Sequence, residues 1–413
     1  MKNMEQLFKM ALGVEDPWFV DSVDFDEKAE TLTIKLDFMK GSKFFYEDKE
    51  AGISGTFGAY DTVIKRWRHL NFFQHECYLE ARVPRIETGK GKVRLIEAPW
   101  AGKLNGFTML FEAMILKFAQ CMTPNQLKKI IGVSNHKIWS IINKYVSEMR
   151  EMQDLSEVKE IGIDETSARK RHDYITLFVD LDKKAVVHVE PGKGSGTVKG
   201  FAERLEEKGC ATSQIKQVCS DMSPAFIGGV KKYLPEASIT FDRFHVMKII
   251  NEAVDNVRKW ERSGNPQLRK MRYVLLKNRK DLSLKDLERI EDLELSSMHL
   301  NTMKAYQMRE TFQMCYQAGS SEAFEVLIRK WCDWVKSSDI FNMVKAAKTI
   351  EKHFDGIVRW YQTRITNGIL EGFNSLIQAA KAKARGYSTK KNLINITYLL
   401  LSRFDFSKIN ACY

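Results

Sequence analysis

The chain has 413 residues, of which 44% are apolar and 29% charged, and its 65 Lys+Arg against 53 Asp+Glu give a formal charge of +12 and a sequence pI near 9.1. That length suits two or three domains with a substantial core; the balance excludes a disordered chain, and 24 Gly and 8 Pro exclude a collagen-like or linker-dominated one. There is no run of about 18 apolar residues, and acids stand early in the chain at Glu5, Glu15 and Asp16, so neither a membrane span nor a signal peptide is read and the cytoplasm is the expected compartment.

Residues 1–100 read as a small β-rich module, with strands at 32–38, 75–86 and 93–100 and a Gly-containing turn, ETGKGK, at 87–92. From Gly106 the pattern turns helical, and 101–155 is expected to hold three helices: GFTMLFEAMILKFAQ, TPNQLKKII, and, after Gly132 and a Ser134 N-cap, NHKIWSIINKYVSEMREM. The last two have the lengths and glycine turn of a helix-turn-helix, in which Asn135, His136 and Lys137 would face the major groove while Ile138, Trp139, Ile141 and Ile142 are buried; a plain helical connector is the alternative. In 156–245, three close strands (161–166, 173–182, 185–194) precede a helix, a strand (215–223), a helix and a strand (237–246). A meander followed by β-α-β-α-β is the order of an RNase H-like sheet, so an α/β fold is predicted. Residues 246–350 read as an all-helical insertion, with Ser283 and Asp286 capping one helix, and 351–413 as the C-terminal part of the core.

Charge is unevenly spread. Segment 246–350 carries 19 basic and 14 acidic residues and 351–413 carries 10 and 4, so nearly all the excess lies in the C-terminal part and points to a polyanionic partner. The seven cysteines (Cys77, Cys121, Cys210, Cys219, Cys315, Cys332, Cys412) form no close CxxC pair, which suits free thiols and argues against a cysteine zinc site.

Three acids stand out by position: Asp164 after IGI, Asp221 after QVCS, and Glu371 in TNGILEGFNSLIQAAKAKARG. Acids at the ends of adjacent strands can converge on a cation, and a helix docked there can add a third carboxylate. Three carboxylates can hold two Mg²⁺, with Mn²⁺ as a substitute, about 3.5–4 Å apart, an arrangement suited to phosphodiester cleavage or joining. Each acid alone has a plainer explanation as a cap, a turn residue or a first-turn helix residue. Lys381, Lys383, Arg385, Lys390 and Lys391 follow Glu371 with no acid between them and could neutralise phosphates or be a solvated face. Trp260 in RKWER could stack on an unpaired base, with Trp331 and Trp334 as rivals and core packing the alternative for each.

The stretches WRHLNFFQHECYLEARVPRI, APWAGKLNGFTMLFEAMIL, GIDETSARKRHDYITLFVDLD, SDMSPAFIGGVKKYLPEASITFDRFHVMKIINEAVD and NGILEGFNSLIQAAKAKARGYST, in order over residues 40–405, resemble those of bacterial DDE transposases of the ISL-three insertion-sequence family. The resemblance implies that Asp164, Asp221 and Glu371 are the catalytic, metal-binding acids. It also implies a zinc-ribbon-like N-terminus, a helix-turn-helix, and an RNase H-like core interrupted by a helical insertion. Asp242 and His245 match a Cys/Asp-x-x-His signature of similar transposases and are expected behind the catalytic acids, where His245 would orient a carboxylate, contact the scissile phosphate, or simply pair with Asp242. The chain departs from the family in its N-terminal module: FFYEDKEAG and VPRIETGKGK stand where paired cysteines are expected, leaving His69, His75 and Cys77 without a clear fourth ligand, so the ribbon is degenerate, Zn²⁺ is not expected, and packing of Trp67, Phe72, Phe73 and Tyr78 is expected to hold the module.

The activity implied is that of a transposase that binds the terminal inverted repeats of its element in double-stranded DNA, cleaves at the ends and transfers the strand to target DNA. It would work as a homodimer or higher oligomer, at the nucleoid and away from membranes. The alternatives are a transposase-derived, sequence-specific DNA-binding protein that no longer cuts, toward which the lost zinc ligands point and against which the intact acids count, and an RNase H-like nuclease on another substrate.

Overall fold

A computed structural model describes residues 4–89, 91–169 and 173–412; Lys90, in the 87–92 turn, lies outside them. The chain forms two units, Met1–Gln153 with Lys383–Tyr413, and Asp154–Ala382.

The first unit begins with α1 (Met4–Ala11) and seven strands: β1 (Trp18–Asp26), β2 (Thr31–Phe38), β3 (Lys43–Asp48), β4 (Ile53–Gly58), β5 (Asp61–Phe72), β6 (His75–Glu87) and β7 (Val93–Leu95). One sheet has the order β1-β2-β6-β5 with β7 on β6, and β3 and β4 form a separate ribbon. Along β2 every second residue, Leu32, Ile34, Leu36 and Phe38, is buried, the alternation of a sheet with one face on a core. Trp18 and Trp67 meet Trp100 edge-on, with ring centroids 5.0 and 5.8 Å apart. Of the four aromatics expected to hold this module, Trp67 is buried, but Phe72 is 38% and Phe73 80% exposed, and Tyr78 is half-buried beneath Arg66. Phe72 ends β5, its ring centre 5.7 Å from that of Phe8, and Phe73, at φ 53°, stands in the turn into β6. His69 lies opposite Cys77 across β5 and β6, and its Nδ1 is 3.0 Å from the Thr108 hydroxyl.

Three helices follow: α2 (Met109–Ala119), α3 (Pro124–Ile131) and α4 (Asn135–Met152). Thr123 and Gln126 form a capping box at α3, Pro124 occupies its first turn, and Ser134 caps α4 by accepting from the Lys137 N–H, as the sequence predicts. Ile138, Ile141 and Ile142 are buried; Trp139 is half-buried, edge-on to Tyr387. The buried Glu112 carboxylate accepts from the N–H groups of Lys103 and Leu104 (2.8 and 2.9 Å) and from the Tyr145 hydroxyl (2.6 Å). Burial raises its pKa, and these hydrogen bonds oppose the rise.

In the second unit β8 (Glu160–Arg169), β9 (Asp173–Asp180) and β10 (Ala185–Pro191) precede α5 (Ser195–Glu207), β11 (Gln217–Ser220), α6 (Pro224–Tyr233) and β12 (Ser238–Phe241). The sheet order is β10-β9-β8-β11-β12, antiparallel among the first three and parallel from β8 to β12, which is the predicted meander and β-α-β-α-β. Val198, Phe201 and Leu205 of α5 and Phe226 and Val230 of α6 pack with Ile161, Ile163, Phe178 and Val218 of the sheet. The predicted strand at 237–246 is cut short: β12 stops at Phe241 because the Asp242 carboxylate accepts from the Phe244 N–H and starts a helix.

That helix, α7 (Arg243–Glu261), opens an all-helical region continued by α8 (Arg272–Leu276), α9 (Leu284–Ser297), α10 (Asn301–Cys315), α11 (Ser321–Lys336), α12 (Phe341–Lys352) and α13 (Phe354–Thr363). Its main core joins Val246, Ile250 and Val254 of α7 to Phe312, Ile328, Trp331, Met343 and Ile357. Trp331 is therefore a core residue, its indole N–H donating to the Met308 carbonyl (2.7 Å), whereas Trp334 is 42% and Trp260 75% exposed. The Glu261 carboxylate, at the end of α7, accepts from the N–H groups of Asn301 and Thr302 (2.8 and 2.7 Å) and so caps α10.

α14 (Gly368–Lys383) completes this unit, and α15 (Lys390–Leu401) packs on α4 in the first. There Asn395 donates to Asn143 (2.6 Å), and the buried Asn410 donates to the Tyr145 hydroxyl and the Met109 carbonyl (both 2.9 Å). No helix among the described residues is long and apolar enough to cross a membrane.

Candidate active site

β8 outruns its neighbour. β9 pairs with it as far as Arg169, but β11 pairs only with Glu160–Gly162, so from Ile163 onward one edge of β8 has no strand beside it. Asp164 lies on that stretch, within the strand and not at its end as the sequence suggested. The last parallel pair is Cys219–Gly162. Asp164 lies two residues past that pair on β8, and Asp221 follows one residue after the end of β11.

α14 occupies the vacant edge. Its Asn374 donates to Asp164 Oδ2 (2.8 Å), Gln378 to the Thr166 hydroxyl (2.7 Å) and the Ser167 carbonyl (3.0 Å), and Lys381 to the same carbonyl (2.6 Å). These residues stand at i, i+4 and i+7, one face of the helix. Close approach at the start of α14 depends on Gly162: a Cβ there would lie 2.4 Å from Leu370 Cδ1 and 3.2 Å from Asn367 Oδ1. Asn367 is fully buried; its N–H donates to Asp242 Oδ1 (3.1 Å) and its amide to the Ile163 carbonyl (3.4 Å).

Burial raises the Asp164 pKa from 3.8 to about 6, with the Asp221 charge adding and His245, the Glu165 N–H and Asn374 opposing. Glu165 is raised by the same burial and by Asp221 and Asp164. Asp221 accepts from the Ser223 N–H (2.9 Å) in the turn into α6. His245 Nδ1 stands 3.6 Å from Asp242 Oδ2, and its pKa is raised, chiefly by Asp242 against the cost of burial, with Asp164 and Asp221 adding. Glu371, exposed in the first turn of α14, is raised by partial burial and by Asp242, with His245 opposing. His245 thus stands within electrostatic reach of Asp164, Asp221, Asp242 and Glu371. Glu371 and Asp242 also line one end of a cleft of about 1030 Å³ that follows α7.

The donor set is all oxygen around a surplus of negative charge, and the amide oxygens of Asn367 and Asn374 are buried without a hydrogen-bond partner. Both features fit a hard divalent cation. Among the described residues no three His, Cys, Asp or Glu side chains are gathered at metal-binding distance; the Asp221 charge acts on Asp164, and that of Asp242 on Glu371.

The other candidate residues lie elsewhere. Lys383 belongs to the first unit, where its ammonium donates to the Cys121 carbonyl (2.7 Å). Arg385 and Lys391 are exposed and Lys390 is half-buried at the start of α15. On α4, Asn135 donates to Asn125, His136 is exposed, and the Lys137 ammonium lies 5.5 Å from the centre of the Phe107 ring. Asn374 and Asn367 are the residues that reasoning from sequence missed. The signal for Asn374 was its place three residues after Glu371, one helical turn away; for Asn367, an amide with neutral neighbours, there was none.

Comparison with known proteins adds the following. The family model of ISL-three DDE transposases, described as "Transposase", matches residues 161–397. The transposase for insertion sequence element IS1557 of Mycobacterium tuberculosis (strain CDC 1551 / Oshkosh) is 23% identical over 445 residues, 97% of this chain and 96% of the relative. The transposase for insertion sequence element IS1001 of Bordetella parapertussis is 23% identical over 337 residues, 79% of this chain and 82% of the relative. A chain from a cryoEM structure of the simian T-cell lymphotropic virus intasome with PP2A regulatory subunit B56 gamma aligns over 45% of this chain and 68% of its own, at 11% identity and a TM-score of 0.17, too low to carry an argument.

Proposed function

The chain belongs to the ISL-three family of DDE transposases, and from that premise we propose that it binds the terminal inverted repeats of an insertion sequence and catalyses metal-dependent cleavage and transfer of DNA strands. The observation that carries this reading is the group of acids at the sheet edge: the Asp221 charge, one residue past β11, acts on Asp164 of β8, and α14, which carries Glu371 beside Asp242, binds Asp164 through Asn374. The strand order supports an RNase H-like core interrupted by the helices α7–α13. In the first unit, α3 and α4 are proposed as a DNA-binding helix-turn-helix presenting Asn135, His136 and Lys137, the β module as a degenerate zinc ribbon, and Arg385, Lys390 and Lys391 as phosphate contacts. The protein is proposed to act as a homodimer or larger assembly on nucleoid DNA.

Asp164, Asp221 and Glu371 would hold the divalent ions, two Mg²⁺ or Mn²⁺. When bound, these ions neutralise phosphate charge, lower the pKa of water and stabilise the departing 3′-oxygen. The chain's own residues prepare for that. Asn374 fixes the Asp164 carboxylate from one side and the Glu165 N–H from the other, so Asp164 turns only a restricted set of lone pairs to the site. Asp242 starts α7 and holds the Asn367 N–H, tying the beginning of α14 to the end of β12. His245, its pKa raised by these acids, stands at the edge of the carboxylate group, where a scissile phosphate needs a donor.

The test uses a labelled duplex bearing the ends of the element that encodes the protein, with Mg²⁺ or EDTA. Nicking at the element boundary is expected to require Mg²⁺ and to fall about a hundredfold or more in Asp164→Ala, Asp221→Ala and Glu371→Ala, with binding of the ends retained. Binding by the wild type with no cleavage of paired ends would overturn the enzyme reading and leave a DNA-binding protein that does not cut. Cleavage by Glu371→Ala at the wild-type rate would remove the third ligand.

A further inference from the structure

The cleft that starts at Asp242 and Glu371 continues along α7 to Asn256 and Lys259. At about 1.5 Å per residue, Asp242 to Lys259 spans about 25 Å, the length of the cleft along α7. The walls suit a strand. Lys248, Lys277 and Lys280 line the cleft as exposed ammonium groups. Lys259 and Arg272 also line it, but their charge is shared with the buried Asp255 carboxylate, at 2.9 and 3.3 Å. Phe244, at the end nearest Glu371, is 57% exposed. Next in sequence to the lining residues Lys259 and Arg272, though not lining the cleft themselves, Trp260 is 75% and Tyr273 78% exposed. Large aromatics left in water and alternating with cations form the stacking and phosphate-tracking surface of single-strand binders. The amides of Asn251, Asn256 and Gln313 line the same cleft, and Gln313 Oε1 is buried without a partner, an acceptor for a base amino group.

We propose that this cleft binds about four nucleotides of single-stranded DNA leading away from the scissile phosphate, with Lys248, Lys277 and Lys280 on the backbone and Phe244 and Trp260 stacked on bases. The proposal rests on the cleavage reading for the position of the scissile phosphate, but the strand-binding surface is testable without cleavage. The fluorescence anisotropy of a labelled oligothymidylate of about eight residues is measured in EDTA, so that no chemistry intervenes. The triple variant Lys248→Ala, Lys277→Ala, Lys280→Ala is expected to bind it about tenfold more weakly and with a shallower dependence on salt, the corresponding triple Lys→Arg variant to restore binding, and Trp260→Ala to weaken it several-fold. Glu252→Lys, which removes an exposed acid from the cleft wall, is expected to tighten binding. Oligothymidylate affinity unchanged in the triple alanine variant, or equal loss in the triple arginine variant, would overturn the proposal. If no protein cleaves element ends while these effects hold, the enzyme reading falls and the strand cleft stands.

Discussion

Asp164 is held at a cost to the folded chain. Its carboxyl ionises at about 6 in place of 3.8, so between those values the folded protein keeps a proton that the unfolded chain has released. The sign follows: this group does not penalise folding below about pH 3.8, and its full penalty is felt above about pH 6, where a shift of this size corresponds to about 2–3 kcal/mol. Asp164→Asn, which can still accept from Asn374, is therefore expected to raise the melting temperature of the metal-free protein at pH 7 and to lose that advantage near pH 4, while abolishing cleavage. Melting curves at the two pH values check it; a lower melting temperature at pH 7 would contradict it. Gly162 offers a second case. Gly162→Ala should destabilise by about 1–3 kcal/mol in urea unfolding, because its methyl group meets Leu370, and Leu370→Ala in the same chain should recover part of the loss. Asp164 and Asp221 were legible because an acid closing an apolar run is visible in one dimension. The packing that lets the Asp221 charge act on Asp164, and the amides of α14 beside it, depend on contacts more than fifty residues apart, which no local pattern encodes.

At the scale of elements, α14 has two tasks, carrying Glu371 in its first turn and closing the open edge of β8 along the rest of its length. A basic run after a catalytic acid reads as a phosphate surface, yet the Lys381 ammonium is already committed to the Ser167 carbonyl. Lys381→Met is accordingly expected to cost about 1–2 kcal/mol of stability and to leave the salt slope of DNA binding unchanged, whereas Lys391→Met should reduce that slope by about 0.9 without affecting stability. Binding titrations at several salt concentrations distinguish them; a reduced slope for Lys381→Met would return that residue to the DNA surface. Helix positions in α2–α4 were readable from caps and apolar spacing. The boundary between β12 and α7 was not, since ITFDRFHV alternates as a strand does and only the Asp242 cap ends it. The module of β1–β7 was read as β-rich, but its core could be chosen only in part: Trp67 packs in it with Trp18, Phe38 and Phe44, while Phe72 ends β5 exposed and Phe73 occupies a turn, and all are equally apolar in sequence.

For the whole molecule, the division into units does not follow chain order. Charge counting placed the basic surplus in the C-terminal part and 351–413 in the core, but α15 and Asn410 belong with α4, because the apolar face of α15 and the Asn410 amide are buried there. Composition carries no record of which distant segment will cover a helix. The link is sharply defined: Asn410 donates to the Tyr145 hydroxyl, which donates to the buried Glu112 carboxylate. Tyr145→Phe leaves Glu112 short of its shortest hydrogen bond and Asn410 with only one of its two acceptors, the Met109 carbonyl, and should cost about 2–3 kcal/mol. Limited proteolysis is expected to show that loss first within 383–412, and equal protection of wild type and variant there would refute it.

The same return of the chain sets a clock on synthesis. Residues up to Gln153 emerge first, yet the segment that packs on α4 is made only after the whole of Asp154–Ala382. At about 5–20 residues per second, the first unit waits roughly 10–50 s for its last piece while the second, whose residues are continuous, can fold during translation. The carboxylate site can thus form before the unit that includes α3 and α4 is complete, and a ribosome that stalls after residue 382 would release a chain with every residue of the second unit and without the last piece of the first.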